Sequence, residues 1–323
     1  MIADDLLKID YQSLPISDYS RNYILRLLPN LRYYLRIYEH CIAQTVATLK
    51  QKPDGLTIVD YGGGHGFLSC LLKRHGFGRV IYIDINPLAV ETVAAVKQRL
   101  GYGPDNILQG DAATLRHWCR QNSIAPDALL GMDVIEHVYR LDTFFDELFA
   151  TSTMPMLFTT GSNPDNPIVT RRLRKVMNAD EYGKPGKTGF LHQRRQYLAD
   201  QFPHLSPEEL DYWAMHTRGL AYGDIAAAVN SNTPVENRDP YNTCDPASGS
   251  WTERILPFAE YRKLIAPHAA HLTVTNGFYN IYRSPQKAIP SRMLNLFLQT
   301  CPGMRCLAPF IVLQITPRHN SRS

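Results

Sequence analysis

The sequence predicts an α/β fold in which helices cover both faces of a mostly parallel sheet. The first observation is the segment 58–72, where a short β-branched run meets an acidic residue, four glycines within five positions and an apolar helix. The second is that short apolar strands, each followed by a helical pattern, recur as far as residue 162. The third is the length of 323 residues, which suffices for one large domain with insertions or for two domains.

The composition is that of an ordinary globular chain. A formal net charge of +4 is small for this length and does not by itself indicate a nucleic-acid partner. The six cysteines are scattered, without a C-x-x-C pair or zinc-ligand spacing, as is typical of reduced cytosolic thiols. Because the sequence has neither an apolar signal core nor a long apolar run, we expect a cytoplasmic protein without a membrane span.

The glycine-rich stretch after the first strand is the strongest functional signal. It runs Asp60-Tyr61-Gly62-Gly63-Gly64-His65-Gly66. Glycines between a strand and a helix let the backbone turn sharply and approach a ligand, and the helix that follows points its N–H groups at that ligand. The spacing differs from the G-x-G-x-x-G fingerprint of dinucleotide sites. It resembles motif I of the class I S-adenosylmethionine-dependent methyltransferases.

Further strand ends extend this resemblance over about residues 55–162. Asp84 ends the second strand, where an acidic side chain can accept hydrogen bonds from ribose hydroxyls. Gly110-Asp111 follows the third strand, and the segment 133–137, Asp-Val-Ile-Glu-His, resembles motif IV of the family. The family implies S-adenosyl-L-methionine as cofactor. Its implied binding residues are Asp60, Gly62, Gly63, Gly64, Gly66, Asp84, Ile85, Asp111, Ala112, Asp133 and Val134.

The family also implies a Rossmann-like fold with a seven-stranded sheet whose last strand is antiparallel beside the fifth. We divide the chain into an N-terminal helical arm (1–50), a cofactor-binding half (51–162), a helical insert (163–250), a C-terminal half (251–316) and a tail (317–323). Aromatic side chains recur at helical spacing in the arm. They either pack in the core or close the arm over the cofactor. The insert is interpreted as a substrate lid.

Histidines are the candidate bases for removing a proton from an acceptor hydroxyl. His137 is the first, since it follows the fourth strand, although it could merely pack or orient the backbone. His192 and His216 in the insert are the next. The spacing of Asp133, Glu136 and His137 is also similar to the metal-binding Glu-x-x-Glu-His of small-RNA 2′-O-methyltransferases. The first Glu is Asp here and a second His motif is absent, so we predict no metal site.

Basic residues of the insert are either a solvated helical face or the recognition site for an acidic acceptor. They include Arg171, Arg172, Arg174, Arg194 and Arg195, of which Arg194 and Arg195, with Tyr222, are the predicted substrate-binding residues. We expect O-methylation of a small or medium-sized metabolite, such as a sugar or another natural-product intermediate. An RNA 2′-O-methyltransferase and a non-catalytic S-adenosylmethionine-binding protein are the alternatives. Nucleic acid is the less favoured partner, and the sequence does not predict an oligomeric state.

Overall fold

A computed structural model describes residues 2–234, 239–281 and 285–318. The described residues contain a sheet with the strand order β3-β2-β1-β4-β5-β7-β6. The strands are β1 (Thr57–Tyr61), β2 (Arg79–Asp84), β3 (Asn106–Gln109), β4 (Ala128–Met132), β5 (Met156–Thr160), β6 (Ala270–Asn276) and β7 (Ile311–Pro317). The predicted tail lies, from residue 319 onward, outside the described residues.

Helices connect the strands and extend the chain at its start. Those before β5 are α1 (Ile2–Leu7), α2 (Asp18–Leu27), α3 (Leu31–Leu49), α4 (Phe67–Arg74), α5 (Pro87–Leu100), α6 (Ala112–Gln121) and α7 (Leu141–Thr151). Those after β5 are α8 (Pro167–Tyr182), α9 (Phe190–Gln201), α10 (Pro207–His216), α11 (Tyr222–Asn230), α12 (Phe258–Ile265) and α13 (Pro285–Thr300).

The sheet is parallel from β3 to β5, and β7 runs antiparallel to both β5 and β6. This is the seven-stranded fold expected from the glycine-rich stretch, and the expectation is confirmed. The strand order reverses between β1 and β4. In open parallel sheets the crevice at such a reversal, outside the carboxyl ends of the strands, is where ligands bind.

Apolar cores lie on both faces of the sheet. Successive residues of a strand point to opposite faces, so Ile58 packs with α1–α5 and Val59 packs with α6, α7 and α12. Burial on both faces explains why β1 and β4 read as continuous apolar runs and not as an alternating pattern. The arm helices α1–α3 belong to the first of these cores.

The insert after β5 is helical, as predicted, and has an apolar core of its own. Leu198, Trp213 and Ile225 bring α9, α10 and α11 together. Helix α8 packs separately, through Leu173 and Met177, against Ile255 beyond the insert. In the described part of the chain, no helix combines the length and apolarity that a membrane span requires.

Candidate active site

The glycine loop between β1 and α4 is held by the neighbouring strand. Gly64 has a φ of 52°, a left-handed conformation that glycine adopts without a steric cost. Gly63 leaves no room for a side chain, because a Cβ there would lie 2.6 Å from a ring carbon of Tyr82. The Tyr82 hydroxyl donates a 2.6 Å hydrogen bond to the Gly64 carbonyl. Tyr82 therefore holds the loop in place through its ring and its hydroxyl. No protein atom lies within 4 Å of the position that a Cβ of residue 64 would occupy.

Asp84 lies at the carboxyl end of β2 and faces the same loop. Its Oδ2 accepts a 2.9 Å hydrogen bond from the backbone N–H of Gly64, and its Oδ1 accepts a 2.8 Å bond from Asn86 N–H. Partial burial raises the pKa of this carboxyl, although the backbone hydrogen bonds oppose the rise. Both oxygens keep a further lone pair, so the carboxylate is oriented and can still accept hydrogen bonds from a ligand.

Asp60 supports the loop from the interior. It is almost fully buried, and its Oδ2 accepts a 2.6 Å hydrogen bond from the Ser69 hydroxyl of α4. Burial raises the pKa of Asp60 to about 7, even though the bonds from Ser69 favour the charged form. This carboxyl joins β1 to α4 across the glycine turn.

A cavity of about 530 Å³ opens at the carboxyl ends of β1, β2, β4 and β5. The glycine loop lines one side of this cavity, and the arm helices line another. The predicted site residues that line it are Asp60, Gly62, Gly63, Gly64, Asp84, Asp133 and His137. Arg172 of α8 and Phe310, just before β7, complete its wall.

The arm contributes a set of tyrosines to this cavity. Those lining it are Tyr19, Tyr23, Tyr33, Tyr34 and Tyr38. The Tyr23 ring stacks on His65 of the glycine loop, with 4.6 Å between ring centroids. Burial lowers the pKa of His65 to about 4, so this imidazole is neutral at pH 7. The tyrosine lining and the Tyr23–His65 stack favour an arm that lies over the site. The same helices also pack in the core.

His137 has a defined tautomer. Its Nδ1 lies 2.8 Å from the carbonyl oxygen of Trp251, and because a carbonyl can only accept, Nδ1 carries the proton. The lone pair is then on Nε2, which is available to take a proton from another group. The Trp251 N–H also donates to the His137 carbonyl at 3.2 Å. The imidazole is thus oriented by a distant segment of the chain.

Carboxyl groups surround this histidine. Asp133 has a φ of 57°, and its N–H donates to the carbonyl of Thr159 at 3.0 Å. Glu136 is fully buried, and its Oε1 accepts from the Thr160 hydroxyl at 2.7 Å. Burial and the negative charge of Asp133 raise the pKa of Glu136 well above its ordinary value. The buried Glu136 carboxyl therefore favours its protonated form more than an exposed glutamate does.

Glu253 is a further acid of this group. Its Oε2 accepts a 3.1 Å hydrogen bond from Ser162, just after β5. Burial and the charge of Asp133 raise its pKa, while His137 and Arg172 act in the opposite direction. Within the described ranges, no three His, Cys, Asp or Glu side chains converge as a ligand set for a metal ion.

Some predicted cofactor residues lie beside the cavity and do not line it. Asp111 caps α6, where its Oδ1 accepts from Thr114 N–H at 3.0 Å. Gly66 is a packing position, because a Cβ there would lie 2.1 Å from a methyl carbon of Val93. The others are Ile85, Ala112 and Val134. The Gly110 N–H donates a hydrogen bond to the Asp84 carbonyl. Asp111, the next residue in the chain, therefore follows the strand end that lies beside Asp84. Their role toward the cofactor stays a prediction.

The candidates at the far side of the insert are placed wrongly for this site. His192 and Tyr222 line a separate surface depression of about 540 Å³. His216 is exposed on α10 and its Nδ1 donates to the Tyr212 carbonyl at 2.7 Å, one helical turn away. None of the three side chains lines the cavity bordered by the glycine loop.

The two predicted substrate arginines are also corrected. Arg194 is fully buried and forms an ion pair of 2.6 Å with Glu181, so it holds the insert together. Arg195 pairs with Asp211 on the surface at 2.5 Å. Arg172 is the member of the predicted basic group that lines the cavity, whereas Arg171 and Arg174 line an outer depression.

Sequence reasoning missed the segment that orients His137. Trp251 is 114 residues from His137, and Glu253 is 91 residues from Ser162. Neither belongs to a local motif, so no spacing in the sequence signals them. The sequence shows the arm tyrosines at helical spacing. It does not show whether their side chains lie in the core or in the cavity, because that depends on how the arm packs on the sheet.

The comparisons with known proteins concern the same part of the chain. Residues 59–151 match the family model described as "Methyltransferase domain". This stretch is a methyltransferase domain. It contains the glycine loop, Asp84, Asp111 and the segment 133–137, so the resemblance to the class I S-adenosylmethionine-dependent methyltransferases is confirmed.

Curated relatives of the methyltransferase domain match over a short segment. The ribosomal protein L11 methyltransferases of Burkholderia mallei (strain NCTC 10229) and Burkholderia pseudomallei (strain K96243) are each 44% identical over 62 residues, 18% of this chain. The chain matches 21% of the length of these relatives.

Solved structures align over more of the chain at low identity. Magnesium protoporphyrin IX methyltransferase from Synechocystis PCC 6803 aligns with 88% of this chain and 83% of its own, at 13% identity and a TM-score of 0.44. An S-adenosylmethionine-dependent methyltransferase from Mesorhizobium loti aligns with 84% of this chain and 94% of its own, at 12% identity and a TM-score of 0.40.

Proposed function

We propose that this chain transfers a methyl group from S-adenosylmethionine to a hydroxyl oxygen of a small or medium-sized metabolite. The observation that carries the proposal is His137, whose Nδ1–H is held by the Trp251 carbonyl in the cavity that the glycine loop borders. An imidazole that is oriented through Nδ1–H can use Nε2 to take a proton from a hydroxyl acceptor.

The donor half of the cavity fits S-adenosylmethionine. A Cβ added to Gly64 would have no protein atom within 4 Å, so the backbone there can be approached closely by a ligand. Asp84 is held by two backbone N–H groups and offers acceptors for ribose hydroxyls. The bound donor supplies an electrophilic methyl group on a sulfonium sulfur. The negative charge of Asp133 favours a cation at that end of the cavity.

The acceptor half must position a nucleophile and exclude water. His137 removes the hydroxyl proton at Nε2, and the Trp251 carbonyl stabilises the imidazolium that forms. The buried Glu136 carboxyl accepts from the Thr160 hydroxyl, and its raised pKa opposes a second negative charge next to Asp133. The tyrosines of α2 and α3 line the side of the cavity formed by the arm, where a bound donor and acceptor would displace water.

The lining of the cavity narrows the class of acceptor. Aromatic rings and carboxyl groups dominate it, and Arg172 is the cation that lines it. This lining suits a neutral, hydroxyl-bearing molecule with an aromatic or apolar part, because rings supply contact area and carboxylates orient hydroxyl groups. It favours such a neutral acceptor over the acidic one that the insert arginines suggested.

A second candidate is an RNA 2′-O-methyltransferase, and one observation favours it. Arg171, Arg174 and Lys175 line a depression of about 430 Å³ on the outer side of α8. The Arg174 guanidinium lies 4.4 Å from the centre of the Tyr241 ring. Cations next to an aromatic ring are features of surfaces that bind single-stranded nucleic acid. A non-catalytic donor-binding protein is the third candidate, and it needs no oriented histidine.

The experiment is label transfer from methyl-labelled S-adenosylmethionine. The full chain is incubated with a panel of phenols, polyols and sugars, and separately with total RNA. We expect transfer to a small acceptor, with the product stable as a methyl ether. Transfer to RNA alone would support the second candidate, whereas donor binding without transfer to any acceptor would support the third.

A further inference from the structure

Helix α13 presents an apolar stripe to the outside of the molecule. Its exposed large apolar side chains are Ile289 at 59%, Met293 at 68%, Leu296 at 63% and Phe297 at 46%. Relative to the first, these positions are four, seven and eight residues along the helix, so they share one side of it. Ala288 and Leu298 are buried on the other side. The helix is therefore amphipathic with a second apolar side that no described residue covers.

The buried side of α13 is anchored by specific hydrogen bonds. The Asn295 amide donates to the Tyr279 carbonyl at 2.9 Å and accepts from the Tyr279 N–H at 2.7 Å. The Asn276 amide, at the end of β6, donates to the Leu298 carbonyl at 2.9 Å. These contacts set the rotation of the helix about its axis. The outward direction of the stripe follows from them.

The chain around this helix is strongly basic. Residues 261–323 contain eight Lys and Arg side chains and neither Asp nor Glu, whereas residues 1–260 carry a net charge of −4. The eight are Arg262, Lys263, Arg283, Lys287, Arg292, Arg305, Arg318 and Arg322. Arg292 is exposed on α13 itself, one position before Met293. The last acidic residue of the sequence is Glu260.

We propose that α13 docks the protein on an anionic lipid surface. The apolar stripe would enter the boundary between headgroups and acyl chains, and Arg292, exposed next to Met293, would lie over the headgroups. A basic amphipathic helix is typical of binding at a membrane surface. A second copy of this chain is a poorer occupant, because it would bring two acid-free segments of the same charge together.

The position of α13 connects this surface with the cavity. The Tyr279 hydroxyl donates to the Leu307 carbonyl at 2.7 Å, and the chain then continues to Pro309 and Phe310, which line the cavity. A lipid surface under α13 would therefore lie close to one wall of the site. This point rests on the proposed function and favours an acceptor that partitions into membranes. The docking itself does not depend on it.

The test is co-sedimentation of the full chain with lipid vesicles. One set of vesicles contains phosphatidylcholine and phosphatidylserine, the other phosphatidylcholine alone. The variant is Met293→Gln with Leu296→Gln and Phe297→Gln, and the matched control is Ile168→Gln, an apolar side chain of α8 that is 77% exposed. We expect the bound fraction of the unchanged protein to be about tenfold higher on the anionic vesicles and to fall in high salt.

The variants give clear outcomes. The triple variant should lose the binding, and the Ile168→Gln control should keep it. Circular dichroism checks that the triple variant folds, and the single Leu296→Gln variant replaces it if it does not. Failure of the unchanged protein to bind anionic vesicles, or equal binding by the stripe variants, would overturn the proposal. So would a dimer in light scattering that these variants abolish, since a second copy would then cover the stripe. None of these readouts requires methyl transfer.

Discussion

The glycine loop and the loop around His137 differ in how far along the chain the residues that position them lie. Asp84 is fixed by the backbone of Asn86 and Gly64, which are 2 and 20 residues away in the chain. His137 is fixed by Trp251, 114 residues away. The donor half of the cavity is therefore built within one strand–helix–strand unit. The acceptor half depends on a segment that follows the whole insert.

This difference bears on how the site can vary. A cofactor half made of local contacts can be kept as a unit while the chain after β5 changes. The acceptor half depends on the insert, because Trp251 follows α8–α11 in the chain. The contact between Trp251 and His137 therefore requires that the insert is folded. We therefore expect substitutions in the insert to act on stability first and on acceptor use second.

The largest effect should come from the buried ion pair of the insert. In Arg194→Ala, the buried Glu181 loses its ion-pair partner at 2.6 Å and keeps the Thr243 hydroxyl and Arg218 at 3.9 Å, and the free energy of unfolding should fall by about 3–5 kcal/mol. Burial alone would raise the pKa of Glu181, but hydrogen bonds and the charge of Arg194 outweigh it and hold the pKa below its ordinary value. Urea unfolding followed by fluorescence measures the loss.

Arg195→Ala is the matched control for this variant. Arg195 lies on the same helix as Arg194, but its ion pair with Asp211 of α10 is exposed. This pair should contribute less than about 1 kcal/mol to stability. Equal losses for the two variants would contradict the structural role of Arg194 and reopen the question of whether the insert arginines contact the acceptor.

Asp84→Ala tests the donor half. Loss of an oriented carboxylate should weaken binding of S-adenosylhomocysteine by about 1–3 kcal/mol, measured by calorimetry. Asp54→Ala, in the exposed turn before β1, is the control and should bind normally. Unchanged affinity in Asp84→Ala would remove this carboxylate from the binding site.

Gly64→Ala and Gly76→Ala separate ligand approach from backbone strain. Both glycines have positive φ, 52° and 80°, and a Cβ at either would meet no protein atom within 4 Å. Each variant should lose about 1–2 kcal/mol of stability. Only Gly64→Ala should also lower donor affinity, by roughly tenfold, since its Cβ enters the space of the ligand. A similar loss of affinity in Gly76→Ala would contradict this account.

A further effect concerns the pH dependence of stability. Burial raises the pKa of Asp60 from 3.8 to about 7. A carboxyl with a raised pKa in the folded state contributes stability below its unfolded pKa, and this contribution is lost as the pH rises through about 7. The melting temperature should therefore fall more between about pH 4 and pH 8 in the unchanged protein than in Asp60→Asn. Parallel curves for the two proteins would show that Asp60 ionises normally.

The sequence predicted the fold and the donor half because both depend on local patterns. The strand β1 and the glycine loop are adjacent in the chain and Asp84 follows about 20 residues later, and this spacing is sufficient to resemble a family. The number of strands and the antiparallel last strand beside the fifth followed from the resemblance.

The acceptor half could not be predicted in the same way. Arg194 and Arg172 belong to one basic run in the sequence, but the first is buried against Glu181 and the second lines the cavity. Only the packing of α8 on the segment after the insert decides between these places. His192 and His216 have suitable chemistry, but His192 lines a separate depression and His216 is exposed on α10.

The central claim is that His137 acts as the base in methyl transfer, and turnover of His137→Ala tests it most directly. With the acceptor identified by label transfer, kcat should fall about a hundredfold or more. The affinity for S-adenosylhomocysteine should stay the same, because Asp84 and the glycine loop are unchanged. His216→Ala, on the exposed end of α10, should keep full turnover. Full turnover in His137→Ala would contradict the account.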